Sequence, residues 1–153
     1  MKTTALLIAL LLSGSADELA PATVGAMRLN VPAAWNKTVN DGTTRFAAPS
    51  GEAYFEVDVG TVQTPGGLAP GVCQNKITTG IGGEWSRLSI GSNPAAMKSE
   101  VDTDSDNREF ISQTYVGCNG KTTWSLTFHM VGTKKARFAP LAEKITQSIQ
   151  YSR

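Results

Sequence analysis

The sequence predicts an α+β fold, in which a single antiparallel β-sheet of about six to seven strands is packed by a loop helix and a C-terminal helix. Three observations support this prediction. Apolar and polar residues alternate in several segments, which is the period of a strand with one face in water. Near the C-terminus, apolar residues instead recur at helical spacing. With 153 residues, the chain is long enough for one domain with a hydrophobic core.

Seven segments have the composition or the alternation of strands, and turn residues separate them. The last is the clearest, because Trp124, Leu126 and Phe128 alternate with polar residues. The dipeptide Asn119-Gly120 precedes it and predicts a type I′ hairpin turn, since both residues tolerate a positive φ. The expected strands are residues 24–31, 43–48, 53–62, 84–90, 95–102, 107–116 and 121–131.

Two segments predict helices. Residues 70–81 allow one apolar face, but their threonines and Gly80 disfavour a helix, so the pattern is weak. Residues 135–150 show a stronger pattern, because five apolar residues recur at helical spacing. Those residues are Phe138, Leu141, Ala142, Ile145 and Ile149. Pro140 is expected in about the first turn, where proline is tolerated.

The N-terminus predicts a secretory signal peptide at residues 1–16. Lys2 supplies the positive charge, residues 5–12 are apolar, and residues 13–16 offer small side chains for cleavage. Cleavage would leave a leader at residues 17–23 and a single domain at residues 24–153. The apolar run is too short to span a bilayer, and no other stretch comes near the required length. We therefore expect a secreted or periplasmic protein without a membrane span.

The charge balance of the expected mature chain argues against two classes of partner. Without Lys2, 13 of the 14 basic residues remain, which equals the 13 acidic residues. Nucleic acids and anionic lipids bind strongly basic surfaces. A net charge of zero therefore disfavours either of them as the main partner.

Cys73 and Cys118 are the only two cysteines of the chain. Two cysteines usually pair in an oxidising compartment, so we expect a disulfide bond that holds the weak helix against the sheet. A redox or nucleophilic role is disfavoured because the two residues do not form a Cys-x-x-Cys motif. Pairing between two molecules and buried free thiols stay open as alternatives.

One expected strand carries polar residues on its wet face. Tyr54, Glu56 and Asp58 alternate there with apolar residues. A carboxylate pair is the minimum requirement for glycoside hydrolysis, but charged residues are also ordinary on the exposed face of a sheet. We expect these three residues to face a partner. Trp85 follows a glycine pair and is the fourth candidate contact.

Asp102, Asp104 and Asp106 alternate like the first oxygen ligands of an EF-hand calcium loop. The pattern then fails, since Asn107 stands where the loop needs glycine and Gln113 where it needs a bidentate glutamate. A hairpin turn built from Asp, Ser and Asn explains the segment better, and calcium binding is the alternative.

We recognise no catalytic or cofactor motif, and we expect no cofactor. His129 is the only histidine, so a Ser-His-Asp hydrolase would have to use it, and no nucleophile elbow is present. The glycine-rich residues 80–83 lack the lysine of a phosphate-binding loop. Asn36 opens an Asn-Lys-Thr sequon, which matters only if the source organism glycosylates secreted proteins.

Three segments resemble PsbP-like domains, namely LNVPAAW, RFAAPSGEAYFEVDVGTV and FAPLAEKITQSIQY. The middle of the chain is similar only in the order of its elements. The superfamily includes the photosystem II extrinsic subunit, a Ran-binding nuclear import factor and bacterial envelope proteins. The resemblance implies a fold that binds protein partners, and it supplies no catalytic residue. The cysteine pair is not part of the PsbP-like pattern.

The predicted function is a secreted, non-enzymatic protein-binding or assembly module of the cell envelope, as a bacterial-type member of that superfamily. Two alternatives stay open: a small-molecule carrier with a cavity between sheet and helices, and a small secreted hydrolase. The fold alone does not decide between them. The oligomeric state is not predicted.

Overall fold

The computed structural model of the protein describes residues 17–151, so the expected signal peptide lies outside the described part. Within these residues the chain is α+β, as predicted, with ten strands, two helices and one short 3-10 turn. In chain order the elements are β1 (Leu19–Val24), β2 (Met27–Pro32), β3 (Asn36–Asn40), β4 (Thr43–Ala47), β5 (Ala53–Thr61), α1 (Pro70–Ile81), β6 (Ser86–Ile90), β7 (Asn93–Thr103), β8 (Glu109–Cys118), β9 (Thr122–Val131), the 3-10 turn Gly132–Lys134, α2 (Lys135–Gln147) and β10 (Gln150–Tyr151).

Seven of the strands form one antiparallel sheet in the order β3-β4-β5-β9-β8-β7-β6. The other three form a small sheet in the order β1-β2-β10. The large sheet is the predicted antiparallel sheet of six to seven strands, and the small sheet is an addition to it. Met27, Leu29 and Val31 of β2 are all buried in the common core, so the small sheet packs over the large one rather than extending it.

The expected leader at residues 17–23 contains most of strand β1. This strand pairs with β2 residue by residue, from Leu19 opposite Pro32 to Val24 opposite Met27. Gly25, with a φ of 54°, turns the chain between the two strands. The side chains of β1 show no clear alternation and include Pro21, so the sequence pattern hides a strand that backbone pairing with β2 defines.

Helix α2 covers the inner face of the large sheet. Trp124, Leu126, Phe128 and Met130 of β9 point to this face and are buried, whereas the residues between them are partly exposed. An aromatic cluster of Trp35, Phe55, Phe128 and Phe138 fills the space below α2, with ring centroids 5.8 to 6.4 Å apart. The sheet–helix interior is therefore packed with side chains.

Helix α2 ends at Gln147, three residues earlier than predicted. The chain leaves the helix because Gln150 and Tyr151 pair with β2. Ser148 joins the two elements, since its Oγ donates to the Ile145 carbonyl and accepts the backbone N–H of Asn30. Pro140 is the sixth residue of the helix rather than part of its first turn.

Helix α1 packs on the opposite, outer face of the large sheet and contacts β7 and β8. Pro70 begins the helix, and Gly82, with a φ of 76°, ends it. Only Cys73, Gln74 and Thr78 are buried, so α1 covers the sheet with a narrow and largely polar stripe. No helix in residues 17–151 is long and apolar enough to cross a membrane.

Candidate partner-binding face

The outer face of the large sheet divides into a part covered by α1 and an open, polar part. The register of the strands places three rows of side chains on the outer face. Across β5, β9 and β8 these rows are Tyr54–His129–Ser112, Glu56–Thr127–Thr114 and Asp58–Ser125–Val116. Thr114 and Val116 are buried, so the second and third rows are open only at their β5 and β9 ends. The prediction that Tyr54, Glu56 and Asp58 share the wet face of one strand is consistent with their partial or full exposure.

A continuous stack of side chains crosses this open face. The guanidinium carbon of Arg45 lies 3.5 Å from the centroid of the Tyr54 ring. The Tyr54 ring stacks on the imidazole of His129 with centroids 4.5 Å apart. His129 Nδ1 is in turn 2.9 Å from the Ser112 hydroxyl. Cation–π contact, ring stacking and a hydrogen bond therefore hold four side chains in a fixed arrangement.

The two acidic residues flank this stack. Glu56 Oε1 lies 3.7 Å from Arg45, and both side chains are more than a third exposed. Such an exposed pair contributes little to stability. The Thr43 hydroxyl donates to Asp58, which keeps an exposed carboxylate on the face. Both carboxylates can therefore meet a partner at small energetic cost.

Trp85 borders the same face on its far side. The indole Nε1 donates to the Gly82 carbonyl at 2.9 Å, and the Lys98 ammonium lies 5.5 Å from the ring centroid. Lys98 pairs with Thr114 on the outer face. Strand β7 is three strand spacings from β5, about 14 Å, so Trp85 and Tyr54 bound one surface without touching.

His129 is half-buried, and burial lowers the pKa of its imidazole below 6.5. The Glu56 charge opposes this effect and the Arg45 charge adds to it. The imidazole is therefore neutral at neutral pH, and its Nδ1 forms a hydrogen bond with the Ser112 hydroxyl in which either group can be the donor.

The Ser112–His129 contact resembles the serine–histidine pair of a hydrolase, but the strands around it do not supply an oxyanion hole. An oxyanion hole needs preorganised donors that converge on a substrate oxygen. Both residues lie mid-strand, where the backbone N–H groups take part in the β8–β9 ladder. The geometry therefore favours a structural role for the pair.

The acidic segment after β7 forms the hairpin turn that joins β7 to β8. Asp104 Oδ1 accepts the backbone N–H groups of Asp106 and Arg108, and Oδ2 accepts Arg108 Nε at 2.8 Å. These hydrogen bonds lower the pKa of the Asp104 carboxyl. Asp102 lies at the exposed end of β7. In residues 17–151, no group of three or more His, Cys, Asp or Glu side chains is placed to hold a metal ion.

The structure joins Cys73 and Cys118 in a disulfide bond, with Cα atoms 6.2 Å apart. This distance lies in the usual range for a disulfide. Cys73 is in the first turn of α1 and Cys118 is the last residue of β8. The bond therefore ties the helix to the sheet at the edge of the open face.

The β8–β9 turn differs from the predicted type I′ turn. Asn119 does not adopt a positive φ; its side-chain Oδ1 instead accepts the N–H groups of Lys121 and Thr122. Gly120, with a φ of 96°, allows the loop before α1 to pack closely. Its carbonyl accepts the Leu68 N–H at 2.8 Å. The turn is shaped by this docking as well as by local propensity.

No protein-family model matches the sequence, and no curated protein is detectably similar to it. Solved structures do share its fold. A Bacteroides thetaiotaomicron protein aligns with a TM-score of 0.68 and 16% identity over 90% of this chain and 49% of its own. The Saccharomyces cerevisiae Ran-binding protein Mog1p aligns with a TM-score of 0.56 and 8% identity over 88% and 96%. Cyanobacterial PsbP (CyanoP) from Synechocystis aligns with a TM-score of 0.50 and 11% identity over 95% and 98%.

This chain has the fold of the PsbP and Mog1 proteins. The predicted resemblance is thus confirmed at the level of fold. The chain spans about half the length of the Bacteroides protein. At 8 to 16% identity, no residue role carries over from these structures, so the site must be argued from this chain's own side chains.

Sequence reasoning missed Arg45, Ser112 and the contact between Tyr54 and His129. Tyr54 and His129 belong to strands 75 positions apart in the numbering, and only the β5–β9 register brings them together. Arg45 lies on the same face as Glu56 because β4 and β5 form a hairpin. The alternation of Thr44, Arg45 and Phe46 was a usable signal for its orientation.

Proposed function

We propose that this protein is a secreted, non-enzymatic protein-binding or assembly module, and that the open outer face is its binding surface. The observation that carries the proposal is the stack of Arg45, Tyr54, His129 and Ser112. A stack held by internal contacts on an otherwise exposed sheet face offers a partner a rigid, amphipathic surface.

The residue types on this face are those that contribute most to protein interfaces. Tyrosine, tryptophan and arginine are enriched among interface residues with large binding contributions. Because Tyr54 is already fixed between Arg45 and His129, binding would immobilise few additional rotamers. The exposed carboxylates of Glu56 and Asp58 favour a partner with a basic patch. The fold is shared with a protein whose name states that it binds Ran, which supports the use of this scaffold for protein binding.

Two observations support an extracytoplasmic location in the cell envelope or outside the cell. Residues 1–16 have the charge, apolar run and small residues of a signal peptide. The Cys73–Cys118 disulfide suits an oxidising compartment.

The alternatives find less support. A small-molecule carrier needs an enclosed cavity between sheet and helix, whereas, within residues 17–151, Trp35, Phe55, Phe128 and Phe138 fill the interior and leave only an open groove beside α2. A hydrolase would need an oxyanion hole beside His129, where the strand ladder uses the backbone donors.

The experiment that tests the proposal is a capture of partners from the native envelope or secreted fraction, with protein that begins at residue 17. The test variant is Glu56→Lys/Asp58→Lys, and Glu18→Lys/Asp106→Lys is the charge-matched control, since Glu18 and Asp106 are also exposed but lie before β1 and in the β7–β8 turn. We expect one dominant partner that the wild type and the control retain and the double variant loses. A partner retained equally by all three proteins would contradict the proposed surface. An empty capture would favour the carrier instead.

A further inference from the structure

Helix α2 leaves part of the inner face uncovered near the β6 edge of the large sheet. A groove of about 430 Å³ runs there between α2 and strands β6, β7 and β8. Its apolar walls are the side chains of Leu88, Met97, Tyr115, Ala139 and Pro140. Leu88, Met97 and Ala139 are partly buried and pack against the core, so the groove continues the core outward.

Hydrogen-bond acceptors line the same groove. The side-chain Oε1 of Gln113 is buried and has no hydrogen-bond partner in the part of the chain that the structure describes. The exposed Glu143 carboxylate, also in the groove, raises the pKa of the Tyr115 hydroxyl in addition to the larger effect of burial. A buried acceptor without a donor costs free energy. An apolar groove with an exposed carboxylate suits an apolar segment that carries one lysine or arginine.

Strand β6, which forms one wall of the groove, is also an edge strand of the large sheet. Strand β6 pairs only with β7, so alternate backbone N–H and C=O groups point away from the sheet. Among residues 17–151, no backbone hydrogen bond outside the β6–β7 ladder involves Ser86–Ile90. The register places Leu88 on the groove side and Arg87 on the outer side of β6.

The opposite end of the sheet lacks these features. All five residues of β3 are exposed, and Lys37 is the second of them. Lysine on an edge strand discourages pairing with another chain, and a segment that paired with β3 would bury little apolar surface. The two edges therefore differ, and only β6 combines free backbone groups with an apolar groove.

We propose that the β6 edge and its groove bind an extended segment of a partner protein by strand addition. Side chains of different character alternate between the two faces of this segment. One face carries apolar residues and a lysine or arginine that reaches Glu143, and the other carries an acidic residue opposite Arg87. Main-chain hydrogen bonds to β6 supply affinity, and the two charges set register. The proposal does not depend on the open outer face, because Tyr54 and Glu143 lie on opposite sides of the sheet.

The test uses an array of eight-residue synthetic peptides and the protein that begins at residue 17. One set alternates apolar residues and one lysine with serine and one glutamate. The comparison set has the same composition in scrambled order. The variants Glu143→Gln and Arg87→Gln probe the two charges, and Asp41→Asn is the matched control at the far β3–β4 hairpin, where Asn tolerates the φ of 47°.

We expect the alternating peptides to bind and the scrambled ones not to bind at about 1 mM. Glu143→Gln should weaken binding about tenfold, as expected for the loss of a charge-assisted contact, and Asp41→Asn should leave it unchanged. In NMR spectra, the Gln113 side-chain amide and the β6 amides should shift on titration. Equal binding of scrambled peptides, equal binding by Glu143→Gln, or no binding of any peptide would overturn the proposal.

Discussion

Removal of the disulfide bond should lower the free energy of unfolding, and the length of chain that the bond closes determines by how much. The bond closes 45 positions between Cys73 and Cys118. The chain-entropy model for a loop of this size gives about 4 kcal/mol at 25 °C. For a domain of this size, that loss should lower the Tm by about 10 °C. Helix α1 should lose its order first, because only three of its residues are buried.

The assay compares urea unfolding of the oxidised protein with that of Cys73→Ala/Cys118→Ala and of refolded, fully reduced wild type. The reduced wild type controls for the atoms that the alanines remove, since both cysteines are buried. Hydrogen exchange should be faster in α1 than in α2 in both disulfide-free forms. A loss of less than about 1 kcal/mol in both forms would show that the bond does not hold the helix as argued.

Three further predictions follow from the packing and from the His129 environment. Burial lowers the pKa of His129, so on acidification the unfolded state takes up the proton before the folded state does, and stability should fall as the pH decreases below 6.5. In thermal melts over this pH range, His129→Asn should lack the part of the decrease in Tm that His129 causes. Phe128→Ala should cost about 3–5 kcal/mol in urea unfolding, because the ring is fully buried among three other aromatic rings, and a cost near zero would contradict this core. Gly120→Ala should destabilise the protein by at least about 1 kcal/mol more than Gly51→Ala; both have a positive φ, but only the Cβ at Gly120 meets a backbone carbonyl, that of Leu68.

The elements that could be predicted from the sequence are those in which buried residues recur at a regular spacing. Strands β5 and β9 were predictable because each has a buried and a wet face, and α2 because it has one apolar stripe. Helix α1 was predictable from its flanking Pro70 and Gly82 more than from its weak apolar face.

Elements that are defined by backbone pairing alone were hidden. All residues of β3 are exposed, so no alternation marks that strand. The two-residue strand β10 exists only because it meets β2. The division into two sheets, and the stack of Tyr54 on His129, depend on which strands become neighbours, and that is a tertiary property. The surface was thus predictable in composition but not in arrangement.

The most direct test of the proposed binding surface is carboxyl footprinting of the protein with its captured partner, read out by mass spectrometry. Glu56 and Asp58 lie on the open outer face, whereas Glu18 and Asp106 are exposed elsewhere. The account predicts that the partner protects Glu56 and Asp58 from modification and leaves Glu18 and Asp106 reactive. Unchanged reactivity of Glu56 and Asp58 in the saturated complex would contradict the claim that this face binds the partner.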